Sequence, residues 1–152
     1  NLLGTALMVP NHDIELAKYI DDCRGKAFQL GSHDCMIFAS NCVRVQTGQD
    51  VFVDFRGDYS TPLGALMHYR AKAKNLGFPD GASVIDILDD RLARFDGPYP
   101  PRGCVTARDV KDENVGADWM LGVRLRHDSA FPGTDGMIFL DREPADLFWS
   151  VG

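Results

Sequence analysis

The sequence lacks several features, and each absence removes a class of protein. No apolar run approaches the roughly 18 residues that a membrane-spanning helix needs. Basic residues are in the minority, 16 Lys and Arg against 22 Asp and Glu. The resulting net charge of −6 argues against nucleic acid as a partner, because a polyanion is bound mainly through excess positive charge. The four cysteines, at 23, 35, 42 and 104, include no Cys-x-x-Cys pair, which removes the usual zinc-ribbon and thioredoxin-like patterns. His33-x-Cys35 has no second ligand pair at metal spacing, so neither a metal nor another cofactor is expected. The apolar start, Asn1 to Pro10, has no basic flank and so does not read as a signal peptide. There is no internal repeat and no low-complexity tract.

What is present describes one ordinary domain. The chain has 152 residues, 45% hydrophobic and 25% charged, with 15 glycines and 8 prolines to make turns. A chain of this length buries about 70% of its unfolded surface and needs no disulfide staple, although an even cysteine count permits one. The expected organisation is an N-terminal arm over residues 1–12, packed on this domain or on a neighbouring chain, and a single domain over 13–152.

The first half reads as helical. Residues 13–24 place Ile14, Ala17 and Ile20 at helical spacing before Gly25, and residues 34–47 form a second helix closed by Gly48. Thr61-Pro62 starts a third helix that runs to about Asn75, and Ser83 caps a fourth that ends near Phe95. The rigid connector Gly97-Pro98-Tyr99-Pro100-Pro101 leads into strand candidates at 103–111, 118–125, 136–140 and 147–151. Helices first and an antiparallel meander second is an α+β arrangement.

The segment with most chemistry in it is Gly31-Ser32-His33-Asp34-Cys35, which runs straight into the second helix. A thiol in the first turn of a helix meets free backbone N–H groups and the positive end of the dipole. Both favour thiolate, so a lowered pKa is expected at Cys35, and the same N–H groups suit an oxyanion. Asp34 is expected as the helix cap. Cys42 falls on the buried face of the same helix and reads as core. His33 and His127 are the two histidines that could serve Cys35 as a base. His12 reads as a near-cap residue and His68 as a surface residue. The acidic run Asp86, Asp89, Asp90 reads as a solvated helix face, and Arg70, Lys72 and Lys74 as cations that meet the end of the third helix.

Gly31-Ser32-His33-Asp34-Cys35 with Ile37-Phe38-Ala39 resembles the nucleophile region of the NlpC-type papain-like cell-wall hydrolases. Thr47-Gly48-Gln49-Asp50, Arg56-Gly57-Asp58-Tyr59, Leu121-Gly122-Val123, Asp135-Gly136-Met137 and Phe148-Trp149-Ser150-Val151 extend the resemblance to a phage- and prophage-associated branch of that superfamily. The resemblance covers about residues 13–152. It implies a papain-like fold, N-terminal helices on a C-terminal antiparallel sheet, with Cys35 as nucleophile. Three positions depart from the pattern of active relatives. Met120 stands where the general-base histidine opens the His-Val-Gly-Ile strand, Phe28 replaces a tyrosine, and Ala107-Arg108-Asp109 replaces Arg-Gly-Asp.

Two functional expectations follow from the resemblance. One is a phage tail-associated cysteine peptidase or amidase acting on peptidoglycan peptides, with Cys35 attacking the amide carbonyl and His33 or His127 moving protons. The other is a catalytically inactive structural component of the tail tip or hub, bound to other tail proteins. Both place the protein in the virion or in a prophage-encoded setting.

Overall fold

The computed structural model describes residues 7–112 and 117–152 of the chain. Four helices come first: α1 (His12–Cys23), α2 (Cys35–Thr47), α3 (Pro62–Asn75) and α4 (Val84–Arg91), with a short 3-10 turn at Val53–Phe55. Six strands follow: β1 (Ala93–Phe95), β2 (Val105–Asp112), β3 (Ala117–Arg124), β4 (Ser129–Gly133), β5 (Gly136–Leu140) and β6 (Leu147–Ser150). They form one antiparallel sheet in the order β1-β6-β2-β3-β4-β5. The architecture is therefore α+β, as the order of the sequence patterns suggests. No helix among the described residues is long and apolar enough to cross a membrane.

Local chemistry sets the helix boundaries. Asp34 caps α2 by accepting from the Ile37 N–H, Thr61 caps α3 by accepting from the Gly64 N–H, and Ser83 with Asp86 forms a capping box on α4. Gly48 ends α2 at φ 77°, where a side chain would be strained. α4 stops at Arg91 rather than running to Phe95, because Ala93, Arg94 and Phe95 pair with Ser150, Trp149 and Phe148 as an edge strand. β4 occupies a stretch that reads as a turn in sequence. It carries Pro132 opposite Met137 in the β4–β5 hairpin, and the true turn at His127–Asp128 precedes it. Glu113-Asn114, which reads as a turn between the strand candidates at 103–111 and 118–125, lies outside the described residues, as do residues 1–6 of the expected arm.

α2 is the central element because it is apolar on two sides. Ala39 and Val43 face a cluster with Phe52, Phe55, Leu88, Val105, Leu121 and Trp149, all buried. Phe38 and Cys42 face a second cluster with Leu16, Ile20 and Cys23 of α1 and Val123 and Ala130 of the sheet. Cys42 is thus core, and all four cysteines are free thiols. The end of α2 is tied to the connector before β2 by buried Gln46, whose amide donates to the Cys42 and Gly103 carbonyls at 3.0 and 3.1 Å. On the other face of the sheet, Arg108 makes a buried two-pronged contact with Asp146 at 2.9 and 3.0 Å and covers the Phe131 ring. Met8 packs on the first cluster, and the Val9 N–H donates to the Gln46 carbonyl, so the described end of the arm lies on this domain.

Candidate active site

Cys35 opens α2 in the wall of a cleft of about 950 Å³. The cleft runs between the start of α2, the inner side of α3, the loop at 78–83 and the outer part of β3. Asp34, immediately before the cysteine, is buried and fully engaged. Its Oδ1 accepts from the Ile37 N–H at 2.9 Å, and its Oδ2 accepts from the Gly31 N–H at 3.0 Å and from the Tyr59 hydroxyl at 2.6 Å. One carboxylate therefore caps the helix, closes the preceding loop and anchors the segment that enters α3. Gly31 makes this closure feasible: it sits at φ 86°, and an added Cβ would lie 2.3 Å from the Tyr59 carbonyl oxygen.

The thiol does not behave as its position in the helix suggests. Burial pushes its pKa from 9.0 up to about 11, and this outweighs every other influence. The backbone N–H of Leu121 pulls it down, the nearby Asp34 charge pushes it up, and the N–H groups of Cys35 and Met36 pull it down less strongly. The expectation of a lowered pKa is corrected accordingly. The helix end supplies its N–H groups, but a low-dielectric wall makes the anion costlier than those groups make it favourable.

Neither expected base stands beside the sulfur. His33 is buried, and its ring meets Phe38 edge-on at 6.1 Å, on the side of α2 that faces the second cluster. Cys35 packs on the first cluster, so the two side chains diverge around the helix start. Burial is the main influence that lowers the His33 pKa, which keeps the ring neutral at pH 7, and its Nε2 has no hydrogen-bond partner among the described residues. His127 is exposed in the β3–β4 turn. It lies beyond Arg124, and the extended backbone from Leu121 to Arg124 alone spans about 10 Å. Met120 does line the cleft, next to the residue whose N–H faces the sulfur.

The histidine that reaches the cleft is His68, which reads as a surface residue in sequence. It is half-buried on α3, stacks on Tyr59 with ring centroids 5.4 Å apart, and its Nε2 lies 2.9 Å from the Phe55 carbonyl oxygen. A carbonyl only accepts, so Nε2 is the donor there. Cys35, Asp34, Tyr59 and His68 form a continuous wall, but no hydrogen bond joins Cys35 to any histidine among the described residues. No cluster of three or more His, Cys, Asp or Glu side chains there could hold a metal ion.

A family model described as a domain of unknown function (DUF6950) matches residues 8–151. The chain belongs to that family. The DUF6950 match takes in every element that builds the cleft, from the start of α2 to β3, and the Val9 contact that anchors the chain before α1. No curated protein and no solved structure matches the chain.

Proposed function

We propose that the protein is a phage tail-associated module with a papain-like fold that keeps the cleft of a cysteine hydrolase without its chemistry. Two features support the fold reading: the resemblance carried by Gly31 to Cys35, and the order of helices followed by an antiparallel sheet. The observation that carries the functional reading is the state of Cys35. A thiol with a pKa of about 11 is ionised in about one molecule in ten thousand at pH 7, and no histidine among the described residues is hydrogen-bonded to it. On this reading the module serves as a structural part of the tail tip or hub, held to other tail proteins by its N-terminal arm and the sheet edges. The peptidase or amidase reading draws on one observation, the N–H groups of Leu121, Cys35 and Met36 gathered at the sulfur.

The two readings differ in a direct assay. Purified peptidoglycan incubated with the native protein or with Cys35→Ser should release no more peptide than buffer, and co-purification with tail proteins should survive Cys35→Ser but not loss of residues 1–10. Digestion by the native protein that disappears in Cys35→Ser would overturn the proposal and establish the hydrolase.

A further inference from the structure

We propose that the cleft beside Cys35 binds an anionic amphiphile, its apolar chain inside and its single negative group held by Arg70 and Lys74. The inference rests on the preceding reading in one respect, that the cleft binds and does not cut. At about 950 Å³ the cleft stands at the upper end of the roughly 300–1,000 Å³ typical of small-molecule sites. Phe28, Met36, Leu66, Phe78, Trp119 and Met120 give it apolar walls. Three of its uncharged polar side chains are already engaged within the protein: the Tyr59 hydroxyl on Asp34, His68 Nε2 on the Phe55 carbonyl, and the Tyr69 hydroxyl on the Ala82 carbonyl at 3.4 Å. A peptide in such a cleft would bury amides that require partners, whereas a hydrocarbon chain requires none and gains by leaving water.

The charge at the cleft favours an anionic head group. Arg70 and Lys74 stand one turn apart on α3, both exposed and both lining the cleft. Neither side chain has an ion-pair or hydrogen-bond partner among the described residues. α3 contains no Asp or Glu. Asp80 is the one acid on the lining that stays open, since the Asp34 carboxylate is covered by its three donors. The cleft thus presents two cations against one open acid, in a chain whose net charge is −6. The helix dipole accounts for Lys72 and Lys74 in the last turn but not for Arg70, which precedes it.

The test titrates the protein with dodecanoate or with dodecyltrimethylammonium, each below its micelle concentration, and reads tryptophan emission. Trp119 lines the cleft, whereas Trp149 is buried and hydrogen-bonded to Asp89, so the cleft residue carries the response. Dodecanoate should give saturable one-to-one binding, and the cationic amphiphile should bind at least about tenfold more weakly. A double variant, Arg70→Glu with Lys74→Glu, should reverse that preference with its circular dichroism unchanged. No saturable response, equal affinity for the two head groups, or an unreversed preference in a folded double variant would each overturn the proposal. Failure to bind alongside failure to digest peptidoglycan would leave the inert module standing alone, and digestion with binding would reject the inert module only.

Discussion

The alkylation rate of Cys35 against pH tests the physics on which the functional reading depends. Thiolate is the species that reacts, so the rate follows the ionised fraction. Moving the pKa from 9.0 to about 11 lowers that fraction at neutral pH by about a hundredfold, a factor of ten for each unit. The native protein simplifies the measurement, because Cys23, Cys42 and Cys104 are 0%, 0% and 3% exposed while Cys35 is partly accessible. Iodoacetamide with peptide mass mapping should therefore label Cys35 first. Its rate should rise about tenfold per pH unit through pH 9 and level off only near 11. The same chain unfolded in urea provides the reference, with all four thiols titrating in the ordinary range. A native profile that levels off at or below the unfolded one would refute the reasoning. It would mean that the N–H groups at the start of α2 and from Leu121 outweigh burial, and the peptidase reading would regain its nucleophile.

Three further outcomes follow from the same contacts. Burial raises the pKa of Cys35 and of Cys104 to about 11, so these two groups favour the fold fully below about pH 9, and that contribution is lost as pH climbs through 11. The urea midpoint should fall between pH 9 and 11, and a flat or rising midpoint there would contradict the assignment. Tyr59→Phe removes the 2.6 Å hydrogen bond to the Asp34 carboxylate and should cost about 1.5–3 kcal/mol in urea unfolding. A change below about 0.5 kcal/mol would show that the Gly31 and Ile37 N–H groups hold Asp34 without it. Gly31→Ala places a Cβ 2.3 Å from a backbone oxygen at φ 86°, so a loss of at least about 2 kcal/mol is expected, and a neutral variant would refute the close approach of the two loops.

Features governed by neighbouring residues are legible in the sequence. Asp34, Thr61 and Ser83 mark helix starts because a cap needs only a side chain and the N–H groups two or three residues on. Cys42 is legible as core from its place on the apolar side of α2. β1 is not legible, since three residues with no alternation become a strand only through β6, which lies more than fifty residues away in the chain. β4 is hidden by Pro132, which reads as a turn until Met137 is set opposite it. Asp89 reads as part of a solvated run, yet it accepts from the Trp149 indole at 2.8 Å, again a partner supplied by β6. His68 belongs with these. Its own neighbours say surface, and only the fold of residues 55–59 brings the Phe55 carbonyl and the Tyr59 ring against it.

Cys35 combines both kinds of information, and they oppose each other. The local part is correct: the thiol stands at a helix start, with N–H groups directed at it. The same local motif also supplies the residue that works against ionisation. In letters, His33-Asp34-Cys35 contains an imidazole, a carboxylate and a thiol, but the imidazole is spent edge-on against Phe38, which packs in the second cluster. The carboxylate cannot orient a base, because the Gly31 N–H, the Ile37 N–H and the Tyr59 hydroxyl already hold it. Its negative charge remains close enough to the sulfur to disfavour a second anion. Desolvation, the largest influence, comes from tertiary packing that no local pattern encodes. An active cysteine at this position therefore needs a cation or a proton acceptor brought in from elsewhere in the fold. β3 is the element whose backbone faces the sulfur, and there the chain places Met120, which offers neither a charge nor a basic site.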